Sequence, residues 1–229
     1  MRYLLKILLV IFAAPLFADD LEDGINAYEK GDLNEAFNLF TPLAEDGNAD
    51  AQTYLALLYE DAKNIKEAVY WYELGAEGGN PYAQLNLAMM YAQGINGFTK
   101  NQKHAGKLYR QAAEQGLAQA QNNLGSLYYN GTGVKKNYTE AFKWYRLAAY
   151  QGNAEAAISL SAIYANGYGV EVDYVKSFIW ANYGELAGLE KEGKFNREIV
   201  EQKLSEEDKA LAYKLIQKCV SSNGKECDY

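Results

Sequence analysis

Four segments of the chain superimpose when stacked, and that internal repetition constrains the fold more than any other feature. They are EAFNLFTPLAEDGNADAQTYLALLYED from Glu35, EAVYWYELGAEGGNPYAQLNLAMMYAQG from Glu67, HAGKLYRQAAEQGLAQAQNNLGSLYYNG from His104 and EAFKWYRLAAYQGNAEAAISLSAIYANG from Glu140, with a half-copy, KSFIWANYGELAG, from Lys176. The anchoring small residues Ala36, Ala68, Ala105, Ala141 and Ser177 are spaced by 32, 37, 36 and 36. A sustained period of this length marks an array of stacked supersecondary units, none of which can bury its apolar face alone.

Each copy divides into two helices. Helix A runs from the anchor to a glycine eleven residues on (Gly47, Gly79, Gly116, Gly152), where a left-handed residue stops a helix. Helix B follows at once; in the second copy Asn80 fits the N-cap and Pro81 the first helical position. Its matched positions are Ala51/Ala83/Ala120/Ala156, Leu55/Leu87/Leu124/Leu160, Ala56/Ala88/Gly125/Ser161, Leu58/Met90/Leu127/Ile163 and Tyr59/Tyr91/Tyr128/Tyr164. Their spacing puts one apolar stripe on one helical face, with small residues in the middle that let backbones approach closely. The inter-repeat segments Gly131-Thr132-Gly133-Val134 and Gly167-Tyr168-Gly169-Val170 read as turns, because no Gly-Lys-Ser/Thr follows and no strand precedes them.

The alanine anchor, the AAEQG-x-AQAQ run, LG-x-LY and G-x-GV together resemble the Sel1-like repeat family, a relative of tetratricopeptide repeats, over residues 33–188. The resemblance implies an all-α fold, a right-handed α/α superhelical solenoid of helix-turn-helix repeats, used as a protein-interaction scaffold. Bacterial members are often exported, and eukaryotic ones include adaptors of the ER lumen. Some cysteine-rich members are associated with β-lactamase activity, which makes an envelope hydrolase the alternative reading.

Residues 1–18, MRYLLKILLVIFAAPLFA, have the organisation of a secretory signal: Arg2 and Lys6, an apolar run from Ile7 to Phe17, then Ala18 before the acidic pair Asp19-Asp20. The run is short for a bilayer span, so cleavage after Ala18 is expected; an uncleaved anchor is the other reading. The organisation expected is then a signal peptide (1–18), an N-terminal capping helix (19–32), about four and a half repeats (33–188), and C-terminal capping helices with a disulfide (189–229). Localisation is expected to be periplasmic or secreted, with no membrane span after cleavage.

Little else invites chemistry. His104 is the only histidine and has no neighbouring second His or Cys, so no metal site, cofactor or catalytic residue is expected. Cys219 and Cys227 lie eight apart around Asn223-Gly224 and would close the C-terminal turn as a disulfide in an oxidising compartment; the spacing is not Cys-x-x-Cys. Ser222-Asn223-Gly224-Lys225 is formally an S-x-x-K, but it lies between those cysteines and no K-T-G follows. The net charge of −8 disfavours a nucleic-acid partner.

Charge is distributed unevenly. Residues 19–99 carry a net −12, residues 100–146 a net +6 and residues 147–229 a net −4. Within the basic band Lys107 and Arg110 occupy the same helix A positions as Lys143 and Arg146 one repeat later; the second copy has Tyr70 and Glu73 there. If helix A lines the concave side, as in the family, Tyr70, Glu73, Lys107, Arg110, Lys143 and Arg146 form the partner-binding groove, for an acidic protein segment or an anionic envelope polymer. Ordinary solvated surface is the competing reading of the same residues. Off-pattern tyrosines Tyr54, Tyr82, Tyr129 and Tyr150 are candidates for partner contacts, whereas Tyr59, Tyr91, Tyr128 and Tyr164 read as structural.

Overall fold

The computed structural model describes residues 14–95, 97–222 and 224–228, with side chains described from Asp20 onward. Among them are twelve α-helices and no strand: α1 (Ala14–Glu29), α2 (Leu33–Glu45), α3 (Ala49–Asp61), α4 (Ile65–Glu77), α5 (Pro81–Gln93), α6 (Gln102–Glu114), α7 (Ala118–Asn130), α8 (Tyr138–Ala149), α9 (Ala154–Asn166), α10 (Tyr174–Leu186), α11 (Glu190–Glu201) and α12 (Glu206–Ser221). The expected leader lies outside the described residues over 1–13, and α1 begins at Ala14, within the leader's expected last residues. None of the helices is long and apolar enough to cross a membrane.

The turn joining helix A to helix B is built the same way in each copy. Gly47, Gly79, Gly116 and Gly152 all have φ between 88° and 95°, a conformation that costs residues with a Cβ and suits glycine. The next residue then reaches back five positions: Asn48 N–H donates to Leu43 O at 3.0 Å, Asn80 to Gly75 at 2.9 Å, Leu117 to Ala112 at 3.2 Å and Asn153 to Ala148 at 3.1 Å. This is a Schellman closure, satisfying carbonyls that the ended helix leaves free. The asparagine then caps the following helix, Oδ1 of Asn48, Asn80 and Asn153 accepting from the N–H of Ala51, Ala83 and Ala156 at 2.8 to 2.9 Å. Leu117 has no such acceptor, and α7 starts without a side-chain cap. A buried glutamine ties three of these hairpins internally. Nε2 of Gln52, Gln84 and Gln121 donates to the carbonyls of Ala44, Ala76 and Ala113 at 3.0 to 3.2 Å, and Ala157 replaces it in the last copy.

The helices fall into two compact units, one up to Leu87 and one from Ala88 on. In the first, α1 to α4 pack consecutively, around Ala36, Phe40, Leu43, Ala51, Leu55 and Leu58. Tyr54 belongs to this core, stacked on Phe40 at 4.8 Å and edge-on to Tyr28 at 5.6 Å. Deeper in the same unit Tyr72 is fully buried and donates to Glu60 Oε2 at 2.7 Å.

The second unit stacks α6 to α10 in the same consecutive manner, and α11 and α12 close its end against α10. Phe178, Ile179 and Trp180 of α10 are fully buried beneath Val200, Leu204, Ala212 and Leu215. Ser205 caps α12, accepting from Asp208 N–H at 3.1 Å, but the reciprocal half differs from that of a capping box. Asp208 takes the Ser205 hydroxyl at 2.7 Å, its side chain being one methylene shorter than the glutamate that usually reaches back to the cap N–H. Buried Cys219 and Cys227, with Cα atoms 4.5 Å apart, form a disulfide-capable pair that brings the last residues back onto α12.

Two outcomes are expected from this packing. A Cβ added at Gly125 of α7 would lie 2.9 to 3.1 Å from three atoms of the buried Tyr145 ring. Gly125→Ala should therefore destabilise the second unit despite its better helix propensity, by about 1–3 kcal/mol of overpacking against a propensity gain of about 0.5–1 kcal/mol, as read by denaturant unfolding. Buried tyrosines also set an alkaline limit. Burial pushes the Tyr109 phenol up to about 12, against an opposing hydrogen bond from Asn123. Burial, helped by the Glu60 hydrogen bond and charge, raises Tyr72 as well. Unfolded phenols ionise near 10, so this stabilisation is complete below about pH 10 and is lost as pH rises towards about 12. Melting temperature should fall across that window, with late tyrosinate absorbance appearing as the chain unfolds.

Candidate functional site

Of the six residues expected to line a groove, Tyr70 and Glu73 lie on α4 in the first unit. Tyr70 is 52% exposed, edge-on to Trp71 at 5.0 Å, and Glu73 is exposed. The four cations lie in the second unit, on α6 and α8. Among the described residues none of them is within ion-pair distance of a carboxylate. Each arginine instead rests on aromatic rings. Arg110 Cζ is 5.6 Å from the centre of the Tyr128 ring, with Nη2 donating to the Tyr128 hydroxyl. Arg146 Cζ is 5.2 Å from the Phe142 ring and 5.9 Å from that of Tyr150. Lys107 and Lys143 are exposed, and Lys143 Nζ stands 5.3 Å over Trp144. Cationic groups over ring faces are held by the ring quadrupole without being neutralised, so their charge stays available to an anion.

A cleft of about 620 Å³ opens beside Arg110 and Tyr128, lined also by Val134, Lys135, Lys136, Asn137 and Glu140. Three cations against one carboxylate make it a basic cleft. Lys136 of this lining stands 4.9 Å over the ring of Tyr138, which stacks on Tyr168 at 4.7 Å and meets Tyr129 edge-on at 5.3 Å.

Arg146 faces a second feature that the sequence did not announce. The carboxylate of Asp228, next to Cys227, is taken up by three donors, from α9, from α10 and from the residue that ends α8. Its Oδ1 accepts from Tyr164 Oη at 2.8 Å and from Trp180 Nε1 at 2.9 Å; its Oδ2 accepts from Tyr150 Oη at 2.9 Å. Burial, then the Asp228 charge and hydrogen bond, pushes Tyr150 up to about 12, while Arg146 pulls the other way. Tyr164 is raised by the same causes in the same order. The arginine is thus close enough to be felt at both hydroxyls that hold the carboxylate.

Several sequence expectations are corrected here. Of the off-pattern tyrosines only Tyr82, 58% exposed, is free on the surface. Tyr54 is core, Tyr129 lies in the aromatic cluster, and Tyr150 is bonded to Asp228. Tyr128 and Tyr164, read as structural, also use their hydroxyls within the chain, Tyr128 accepting from Arg110 and Tyr164 donating to Asp228. His104 is half-buried, its ring edge-on to Tyr91 at 4.4 Å. Ser222 Oγ donates to Cys219 O at 3.0 Å and accepts from Glu226 N–H at 2.9 Å, so its hydroxyl is engaged in the turn that closes α12.

A sequence model of the Sel1 repeat matches residues 21–48, 49–80, 81–117, 118–153 and 154–184. Each matched segment pairs a helix B with the helix A that follows, the reverse phase of the stacking above. The chain is 41% identical over 97 residues to an uncharacterised protein of Neisseria meningitidis serogroup B, covering 42% of this chain and 20% of that protein. It is 30% identical over 95 residues to the DAP3-binding cell death enhancer 1 of Rattus norvegicus, covering 41% and 18%. It therefore spans about a fifth of the length of these curated relatives. Among solved structures, it is similar to c5321, a protective antigen of uropathogenic Escherichia coli displaying an SLR fold (TM-score 0.80, 33% identity, 92% of this chain and 47% of that one). It is also similar to a Sel1 repeat protein from Oxalobacter formigenes (TM-score 0.70, 35% identity, 77% and 74%). Repeats of this kind form all-α solenoids that generally serve as protein-interaction scaffolds and are typically non-catalytic. With five matched repeats over most of its length, the chain belongs to the Sel1-repeat family.

Proposed function

We propose that the chain is an exported scaffold, periplasmic or secreted, that binds an acidic segment of a partner protein on the basic and aromatic face of α6, α7 and α8. The observation that carries this reading is the set of cations on that face, Lys107, Arg110 and Lys143, which have no carboxylate partner in a chain whose net charge is −8. Cations without a carboxylate partner attract an anionic segment, and protein segments are the partners this repeat family generally holds. Residues 1–18 act as the leader, and Cys219 and Cys227 are oxidised to a disulfide after export.

Crosslinked capture from native envelope extract tests the partner reading. The wild-type mature chain should retain a protein partner that is lost when Lys107, Arg110 and Lys143 are changed together to Glu, with helical circular dichroism unchanged. Retention should fall as salt shortens the screening length. A partner held equally by both chains would retire this face as the site. Export has its own readout: intact mass of the protein from its native compartment should correspond to a chain starting at Asp19 with no free thiol. A full-length mass with two free thiols would overturn the export reading.

A further inference from the structure

Three of the residues around Asp228 recur one period earlier in the sequence. They are Arg146 on α8, Tyr164 on α9 eighteen residues later, and Trp180 on α10 sixteen residues after that. One period of 36 residues earlier the sequence has Arg110 on α6, Tyr128 on α7 and Trp144 on α8, with the same two separations. The helices that carry the two sets pack in the same order, α6 on α7 on α8 and α8 on α9 on α10. Equivalent side chains in equivalent stacked hairpins present equivalent groups.

In the later copy the indole N–H of Trp180 is satisfied by Asp228 at 2.9 Å. In the earlier copy Trp144 is only 6% exposed, and its Nε1, out of reach of water, has no acceptor. An orphaned buried donor is rare, because protein and ordered water normally satisfy such groups. We propose that Arg110, Tyr128 and Trp144 form a second carboxylate site, which takes an aspartate side chain from the acidic segment of a partner protein in the way Trp180 and Tyr164 take Asp228. This deepens the scaffold reading above and rests on it.

The two pockets differ in ways that bear on the ligand. Glu114, an exposed carboxylate, stands where Tyr150 completes the later pocket, so the earlier one offers one neutral donor fewer and carries a like charge at its rim. It has a nearer charge instead, since Arg110 donates directly to the Tyr128 hydroxyl whereas Arg146 rests on Phe142 and Tyr150. Charge-assisted contact to guanidinium replaces the missing phenol. Entry is from the basic cleft, which already reaches Arg110 and Tyr128. Lys143, 5.3 Å over the Trp144 ring, is a flexible exposed side chain that can turn aside. No third pocket is encoded one register further back, where the residues are Glu73, Tyr91 and Leu108.

The indole N–H resonances of the three tryptophans in the ¹⁵N-labelled mature chain provide the test. Trp144→Phe assigns the relevant peak. Titration with the blocked peptide acetyl-Gly-Asp-Gly-amide should move the Trp144 peak saturably, and acetyl-Gly-Asn-Gly-amide should not. The Trp180 peak should stay still in the wild-type chain and become responsive to the aspartate peptide in Asp228→Asn. Arg110→Gln and, separately, Tyr128→Phe should each weaken the Trp144 response by about tenfold in concentration. A Trp144 peak that stays still through the aspartate titration, or that moves equally with the asparagine peptide, overturns the site. If the charge-reversed chain still loses its partner while Trp144 is silent, the scaffold reading stands and this inference alone falls.

Discussion

Everything in the described structure depends on how closely helix backbones can approach at a few small residues. The anchors Ala36, Ala68, Ala105 and Ala141, and their helix B counterparts Ala51, Ala83, Ala120 and Ala156, are all fully buried. Only small side chains occupy these positions, with Ser177 the anchor of the last copy, and at Gly125 even a methyl is too much beneath the Tyr145 ring. Interiors packed to crystal-like density tolerate little slack, so these contacts fix the register of one helix on the next. Once register is fixed and repeated at 36 residues, any other side chain that recurs at that period must recur in space. Arginine, tyrosine and tryptophan do so twice.

That recurrence explains why a scaffold assembled from apolar stripes can still carry polar chemistry. A tyrosine at the edge of the stripe buries its ring and leaves its hydroxyl at the rim; a tryptophan on the following helix does the same with its N–H. Burial alone would make both donors a liability. The second unit resolves it at its end with its own chain, Asp228 bringing one carboxylate to Tyr150, Tyr164 and Trp180. The tail is held there by its return towards α12 at Cys219 and Cys227. The terminal helices α11 and α12 therefore seal an apolar end, and the last residues behind them satisfy a polar one.

Much of this was legible in the sequence. The alanine register, the helix-ending glycines and the Asn80 cap follow from local rules, because they depend on residues within one turn of each other; each helix A nonetheless starts three residues before its alanine anchor, at Leu33, Ile65, Gln102 and Tyr138. The same rules failed at Tyr54, Tyr129 and Tyr150. A tyrosine that breaks the repeat pattern is locally indistinguishable from a surface contact, and only the placement of Phe40, Tyr168 and Asp228 decides otherwise. Trp144 and Trp180 were hidden for the opposite reason. They fall at a register also occupied by Trp71 and Leu108, so a hydrophobic reading assigns them to the core, and no periodicity reveals where an indole N–H points. The available signal was the repeated interval itself: an arginine, then a tyrosine eighteen residues on, then a tryptophan sixteen residues further, in two consecutive copies.

The band of positive charge gains its meaning from this geometry rather than from its net value. A net of +6 over residues 100–146 would attract any polyanion, and surface charge by itself steers without selecting. Direction comes from donors fixed in a water-excluded site, where a misplaced or uncharged oxygen leaves a buried group unmet. Arg110 sits where both effects meet: it lines the open cleft and bonds the hydroxyl of Tyr128, whose counterpart one repeat on already holds a carboxylate. Lys107 and Lys143 are exposed and, among the described residues, outside ion-pair distance of a carboxylate, so in the proposed binding mode they act on approach. The division of labour follows from side-chain length and burial alone, since a solvated ammonium is screened and a half-buried guanidinium against an aromatic ring is not.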